Sequence, residues 1–184
     1  MGFYAMTGGA TGIGDAIKQR LRREGHDVVV VDLREADIIA DLSTKEGRAA
    51  AVSSLREAAS DGLDGLVTCA GLGSNVPDRA LITEVNYFGT VDLVEGVKDL
   101  LALRGGSVVL ISSNSAPMND SPEFVELLLA GKEGEALRCA ETLGAQEVYS
   151  GTKLAVARWM RGRAADYARD GVRMNALAPG YTRT

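Results

Sequence analysis

The chain has 184 residues, 46% hydrophobic and 24% charged, with a formal net charge of −5. That is enough for one domain around a single sizeable core, with the composition of a soluble globular protein. The 20 Lys and Arg form no long run, and no apolar stretch nears the ~20 residues that span a bilayer, so neither nucleic acid nor a membrane is an expected partner. The start, Met1 to Thr7, runs straight into a strand pattern without the features of a signal peptide, and a cytoplasmic protein is expected.

In chain order, apolar runs and helical patterns alternate. Phe3 to Thr7 reads as a short buried strand, followed by a Gly-rich turn and a helix from about Gly12 to Glu24. Val28-Val29-Val30-Val31-Asp32 is a β-branched run of the kind buried on both faces. Ile38 to Leu42 reads as a third strand, Thr44 to Ala59 as a helix, and Leu63 to Ala70 as a fourth strand. A long helical segment ends near Leu103, before Arg104-Gly105-Gly106, and Ser107 to Ser112 forms a fifth strand. Tyr149 to Arg169 is a strong helix, and Val172 to Ala178 a last strand stopping at Pro179-Gly180.

Such alternation predicts an α/β fold, a doubly wound parallel sheet with helices on both faces. Ligands then sit at the carboxyl ends of the strands, near the switch in strand order. One domain, 1–184, is expected, with an insertion at about 117–145. That insertion is polar at first and then helical, and it precedes the Tyr149 helix. It reads as a lid or substrate wall, or else as surface elaboration or a subunit contact. Phe124, Leu127 and Leu128 follow helical spacing and should face the pocket or the sheet.

Two cysteines, Cys69 and Cys139, belong to no metal-spacing pattern, and no metal is expected. Cys69 reads as a small buried residue. His26, the one histidine, follows Gly25 and reads as a surface turn, which leaves no Ser-His-Asp arrangement unless it lies in the site.

Two patterns carry chemistry. Thr7-Gly8-Gly9-Ala10-Thr11-Gly12-Ile13-Gly14 lies between a strand and a helix. Gly8 permits a tight turn, Gly12 lets the backbone approach a pyrophosphate, and Gly14 allows close helix–strand contact. The helix start then offers N–H groups and a positive dipole end. Asp32 ends the second strand at the distance where a carboxylate accepts hydrogen bonds from ribose hydroxyls and repels a 2′-phosphate. Thr11 is neutral where a basic residue would help NADP, although Arg34 lies nearby; NAD is the expected cofactor. The second pattern, Tyr149-Ser150-Gly151-Thr152-Lys153, puts a phenol and an ammonium on one helix face. The cation stabilises the phenolate, which makes the tyrosine a usable acid–base.

With these residues the sequence resembles the short-chain dehydrogenase/reductase family across nearly its whole length. TGGATGIG matches the family's TGxxxGxG and YSGTK its YxxxK; Asn86 in VNYFG and Ser113 in ISSNS stand at the family's other two catalytic positions. Arg173-Met174-Asn175 with Pro179-Gly180 matches the end of its sixth strand. The resemblance implies a catalytic set of Asn86, Ser113, Tyr149 and Lys153. Tyr149 would exchange a proton with the substrate oxygen, Ser113 would bond that oxygen, Lys153 would hold the nicotinamide ribose, and Asn86 would hold a water. Cofactor contacts would come from Gly8, Thr11, Gly12, Ile13, Gly14, Asp32, Asp41, Leu42, Ala70, Gly71, Tyr149, Lys153 and Thr182, with Thr184 a further contact of the same turn.

The implied activity is NAD(H)-dependent interconversion of a secondary alcohol and a ketone or aldehyde. CAGLG, VNYFG, ADLSTKEGR and the long insertion are similar to the 3α-hydroxysteroid dehydrogenase/carbonyl reductase subgroup, which implies a steroid or xenobiotic carbonyl. Cys69 stands where the family usually has asparagine, and reduced polar bracing of the sheet is expected. The family normally continues past Pro-Gly with a substrate segment and another strand, and it implies a homo-oligomer when complete. A non-catalytic NAD-binding module and an incomplete, inactive chain are the alternative readings.

Overall fold

The computed structural model of the chain describes residues 1–182. Thr184 therefore lies outside the described residues. Six strands, β1 (Phe3–Thr7), β2 (Asp27–Asp32), β3 (Ile38–Ile39), β4 (Gly65–Thr68), β5 (Ser107–Ile111) and β6 (Arg173–Leu177), form one sheet. Every pairing is parallel and the order is β3-β2-β1-β4-β5-β6. Strand order reverses between β1 and β4, which opens a crevice at their carboxyl ends.

Strand pleating explains the valine run of β2. Val29 and Val31 join the main core with Ala5, Leu66, Val108 and Leu110, while Val28 and Val30 join Met6 on the opposite face. On that second face Ile17 and Leu21 of helix α1 (Gly12–Arg23) cover them. The main core is closed by α2 (Lys45–Ala58), α4 (Gly89–Gly96), α5 (Lys98–Arg104) and α8 (Ala145–Arg169).

Three elements differ from the sequence reading. β3 is two residues long, because the Asp41 carboxylate accepts Ser43 N–H (2.9 Å) and turns the chain toward α2. The long helix before β5 is split: α3 (Arg79–Thr83) passes through a π-helical turn, Glu84–Phe88, into α4 and then α5. The segment between β5 and α8 carries two helices, α6 (Pro122–Leu129) and α7 (Glu133–Glu141), after a short 3₁₀ turn at Ala116–Met118. Lys132 N–H on Leu127 O and Gly131 N–H on Leu128 O close α6 in a Schellman arrangement, which stops one helix from continuing into the next.

α6 and α7 pack on α8 and α3, as part of the helical layer. Phe124 and Leu128 are fully buried, and the Phe124 ring lies where a side chain on Gly151 of α8 would stand (2.7 Å). Phe124 therefore faces α8. No helix among the described residues is long and apolar enough to cross a membrane.

Candidate active site

The Gly-rich turn closes over the end of β1. Gly8 has φ +72°, and its N–H donates to Val31 O at 3.0 Å. A Cβ on Gly8 would stand 2.4 Å from Ala70 N, and one on Gly14 only 1.8 Å from Gly8 O. Any side chain at either position would push the turn off β4 or α1 off the turn. Lys18 Nζ holds the loop by donating to Gly9 O at 2.6 Å, a contact that the sequence pattern did not reveal.

Asp32 is fixed at the end of β2. Its Oδ2 accepts Ala10 N–H (3.1 Å) and its Oδ1 accepts Leu33 N–H (2.7 Å), so the carboxylate is tied to the turn beside it. These groups border a cleft of about 530 Å³ lined by Gly8, Thr11, Gly12, Ile13, Gly14 and Asp32, with Asp41, Leu42, Ala70 and Gly71 opposite. The structure thus brings together ten of the residues named from the sequence. It adds the apolar wall positions Leu33, Ala40, Leu72, Leu81 and Val85, of which Ala40, Leu72 and Val85 lie within ADLSTKEGR, CAGLG and VNYFG. Thr182 does not line this cleft; it borders a separate, mostly apolar cavity along α1 with Ile13, Ala16 and Ile17.

At Gly71 the cleft meets the second group of residues. A Cβ there would stand 3.3 Å from both Lys153 Nζ and Asn86 Oδ1. Lys153 is buried on α8, with its Nζ 5.9 Å from the centre of the Tyr149 ring. Its one hydrogen-bond acceptor among the described residues is Ile111 O, at 3.0 Å. Burial pushes the Lys153 ammonium down to about 8, against a small opposing effect of Cys69. An ammonium carries three N–H groups, so this one needs further oxygen partners from whatever fills the cleft.

Two bonds anchor α8 to the end of β5: Lys153 Nζ on Ile111 O, and Ser112 Oγ donating to Lys153 O at 2.8 Å. Ser113 follows and is buried. Its Oγ accepts Ser115 N–H (3.2 Å) and Ser115 Oγ–H (3.0 Å), which leaves its own hydroxyl hydrogen to donate elsewhere. Asn86 is fully buried in the π-helical turn, and its carboxamide grips the loop after β4: Leu72 N–H donates to Oδ1 (2.7 Å), and Nδ2 donates to Leu72 O (3.0 Å). The carboxamide thus ties the π-helical turn to the loop after β4, with Nδ2 also 3.4 Å from Thr152 Oγ1.

Cys69 is half-buried beside Met6, Val28 and Val30, and burial pushes its thiol up to about 11, so it stays neutral. His26 lies at the opposite ends of the strands, where its Nδ1 accepts Gly2 N–H at 3.0 Å. It takes no part in the site.

The family described as short chain dehydrogenase matches residues 4–125 and 135–184, and the internal gap between the two matched stretches lies inside the segment between β5 and α8. The chain is 40% identical over 192 residues to a 3-alpha-hydroxysteroid dehydrogenase/carbonyl reductase of Comamonas testosteroni, covering 100% of this chain and 74% of that protein. It is 31% identical to the short-chain reductase protein NovJ of Streptomyces niveus, over 97% of this chain and 68% of that one. The crystal structure of the 3-alpha-hydroxysteroid dehydrogenase from Pseudomonas sp. B-0831, complexed with NADH, superposes with a TM-score of 0.94. It is 40% identical, and the match covers 97% of this chain and 72% of that one.

Proposed function

The chain belongs to the short-chain dehydrogenase family, and from that premise we propose that it is an NAD(H)-dependent oxidoreductase interconverting a secondary alcohol and a ketone or aldehyde. The observation that carries this reading is the buried Lys153. It stands at the end of a glycine-lined cleft, one turn from Tyr149, with an ammonium that has one acceptor among the described residues.

The residues present fit the cofactor. The β1–α1 turn leaves no room for side chains and offers the N–H groups of the α1 start to a pyrophosphate. Asp32 accepts the adenosine ribose hydroxyls and repels a 2′-phosphate, which favours NAD over NADP. Asp41 and Leu42, on the cleft wall, would border the adenine, and Ala70 and Gly71 would border the ribose beside it. Lys153 would hold the nicotinamide ribose with its remaining N–H groups.

When bound, the cofactor supplies a hydride donor or acceptor at its nicotinamide ring. Tyr149 passes a proton to the substrate oxygen or takes it back, while the Lys153 charge stabilises its phenolate. Ser113 donates its hydroxyl hydrogen to the same oxygen. Asn86 is a positioning residue that holds the Leu72 loop against the cleft.

A steroid or another bulky carbonyl is the substrate class the reading favours, supported by the name of the Comamonas testosteroni relative. A cytoplasmic setting suits a nicotinamide enzyme with two free thiols, Cys69 and Cys139. The test is a turnover screen of steroids, quinones and small aromatic carbonyls, followed by loss of NADH. NADH-linked reduction of at least one class supports the reading; NADPH preferred in direct competition refutes its cofactor assignment.

A further inference from the structure

We propose that Glu133 and Arg48 are positioning residues for the adenine end of the cofactor cleft, so that the inserted helix α7 sets cofactor affinity. This rests on the cofactor reading above. Arg48, on the first turn of α2, is 2% exposed, an unusual place for a guanidinium. Its Nε donates to Asp92 Oδ2 of α4 at 2.6 Å and its Nη2 to Glu133 Oε1 of α7 at 2.7 Å. The remaining nitrogen, Nη1, points at Leu42 O (3.4 Å) and Ser43 O (3.3 Å). Leu42 and the adjoining Asp41 line the cleft.

One buried cation therefore joins three parts of the chain: the adenine wall, α4 and the insertion. Its two carboxylates differ in what they can do. Asp92 is 44% exposed and shared with water, whereas Glu133 is 15% exposed and supplies the more enclosed counter-charge. Lys45 Nζ, 3.2 Å from Glu133 Oε2, aims that carboxylate from the solvent side. A buried guanidinium that loses an enclosed anion relaxes toward water. In this geometry Arg48 would then withdraw from Leu42 O and Ser43 O, and the turn that shapes the adenine wall would loosen. Two further ion pairs of the insertion, Arg158 with Glu126 at 3.7 Å and Lys132 with Glu135 at 3.3 Å, are exposed and involve no cleft residue.

The probe is ADP-ribose, which carries the adenosine half of the cofactor without the nicotinamide. By calorimetry, Glu133→Gln should weaken ADP-ribose binding about 3- to 10-fold. Glu133→Asp, which keeps the anion, should retain most of the affinity, and Glu126→Gln should leave it unchanged. In turnover, KM for NADH should rise by the same factor while kcat holds. Should Glu133→Gln fail to fold, Asp92→Asn removes the other anion of Arg48 and must weaken ADP-ribose in the same direction. A Glu133→Gln protein with a lower melting temperature but ADP-ribose affinity within about twofold of the parent would overturn the proposal, leaving Glu133 a purely structural group. A parent protein that does not bind ADP-ribose at all would reject the cofactor reading, and this inference with it.

Discussion

The two ends of the cleft are built on different physical principles. The end proposed to take adenosine is made from one contiguous stretch, Gly8 to Gly14, plus Asp32, and it works by absence: Cβ atoms at Gly8 and Gly14 would meet backbone within 2.4 Å. The end proposed for catalysis is made from side chains far apart in sequence, Ser113 on the segment after β5 and Tyr149 and Lys153 on α8. It works by burial, holding the Lys153 cation against one carbonyl among the described residues, Ile111 O, beside Gly71 of the cleft wall. Shape can be satisfied without cost to the folded state, whereas a buried charge cannot. The first end should therefore tolerate no added atoms, and the second should gain stability when its charge is removed.

Tyr149→Phe should separate the two ends most sharply. Turnover is expected to fall about 10²–10⁴-fold, the usual contribution of a general acid–base group, while NADH binding stays near that of the parent. Steady-state rates beside a fluorescence titration of NADH check both halves. A mutant that lost binding as well would show that the ends are not independent.

Gly14→Ala attacks the adenosine end. With its methyl 1.8 Å from Gly8 O, the turn or α1 must shift, at a cost of about 3 kcal/mol in urea unfolding and with loss of measurable cofactor binding. A stable variant that still bound NADH would show that the turn is more plastic than its geometry implies.

Lys153→Met tests the cost of the catalytic end. The folded-state pKa of about 8 lies below the ordinary 10.5, so between these values the unfolded chain holds a proton that the folded one lacks. Stability of the cofactor-free parent should therefore rise with pH across that window, by up to about 3 kcal/mol from this group. The methionine variant should lack the rise, and at neutral pH it should be about 1–3 kcal/mol more stable although inactive. Urea melts at pH 7 and pH 10 compare the two proteins; parallel curves would mean that Lys153 is well solvated.

Asp32→Asn should have the smallest effect. It keeps the oxygen that accepts Leu33 or Ala10 N–H and removes the charge, so NADPH use should improve relative to NADH about tenfold, near 1.4 kcal/mol. Unchanged preference in competition assays would move cofactor selection to another residue.

The same contrast explains what could be read from the sequence. The adenosine turn was legible because its glycines, its strand and its helix are neighbours, and β1 lies at the expected residues, Phe3–Thr7. Tyr149 and Lys153 were legible because helical spacing places them on one face. What stayed hidden depends on partners distant in sequence. Leu81 and Val85 reach the cleft only because α3 runs into the π-helical turn, which has no local signature. Asn86 was found, but its grip on Leu72 depends on how that turn meets the loop after β4. The burial of Arg48 has no local signal, because the carboxylates that pair with it, Asp92 and Glu133, lie 44 and 85 positions away. The early end of β3 was readable in principle, since Asp41 two residues before Ser43 is an Asx-turn pattern.

Isotope transfer tests the central claim most directly. NADH carrying deuterium at the ring carbon that delivers the hydride would be incubated with the parent protein and a carbonyl substrate found in the screen. The account predicts that the product alcohol carries deuterium on its carbinol carbon, from one of the two labelled faces only, and that Tyr149→Phe forms little of it. Product alcohol formed without deuterium from either labelled face, or product formed equally fast by Tyr149→Phe, would contradict it.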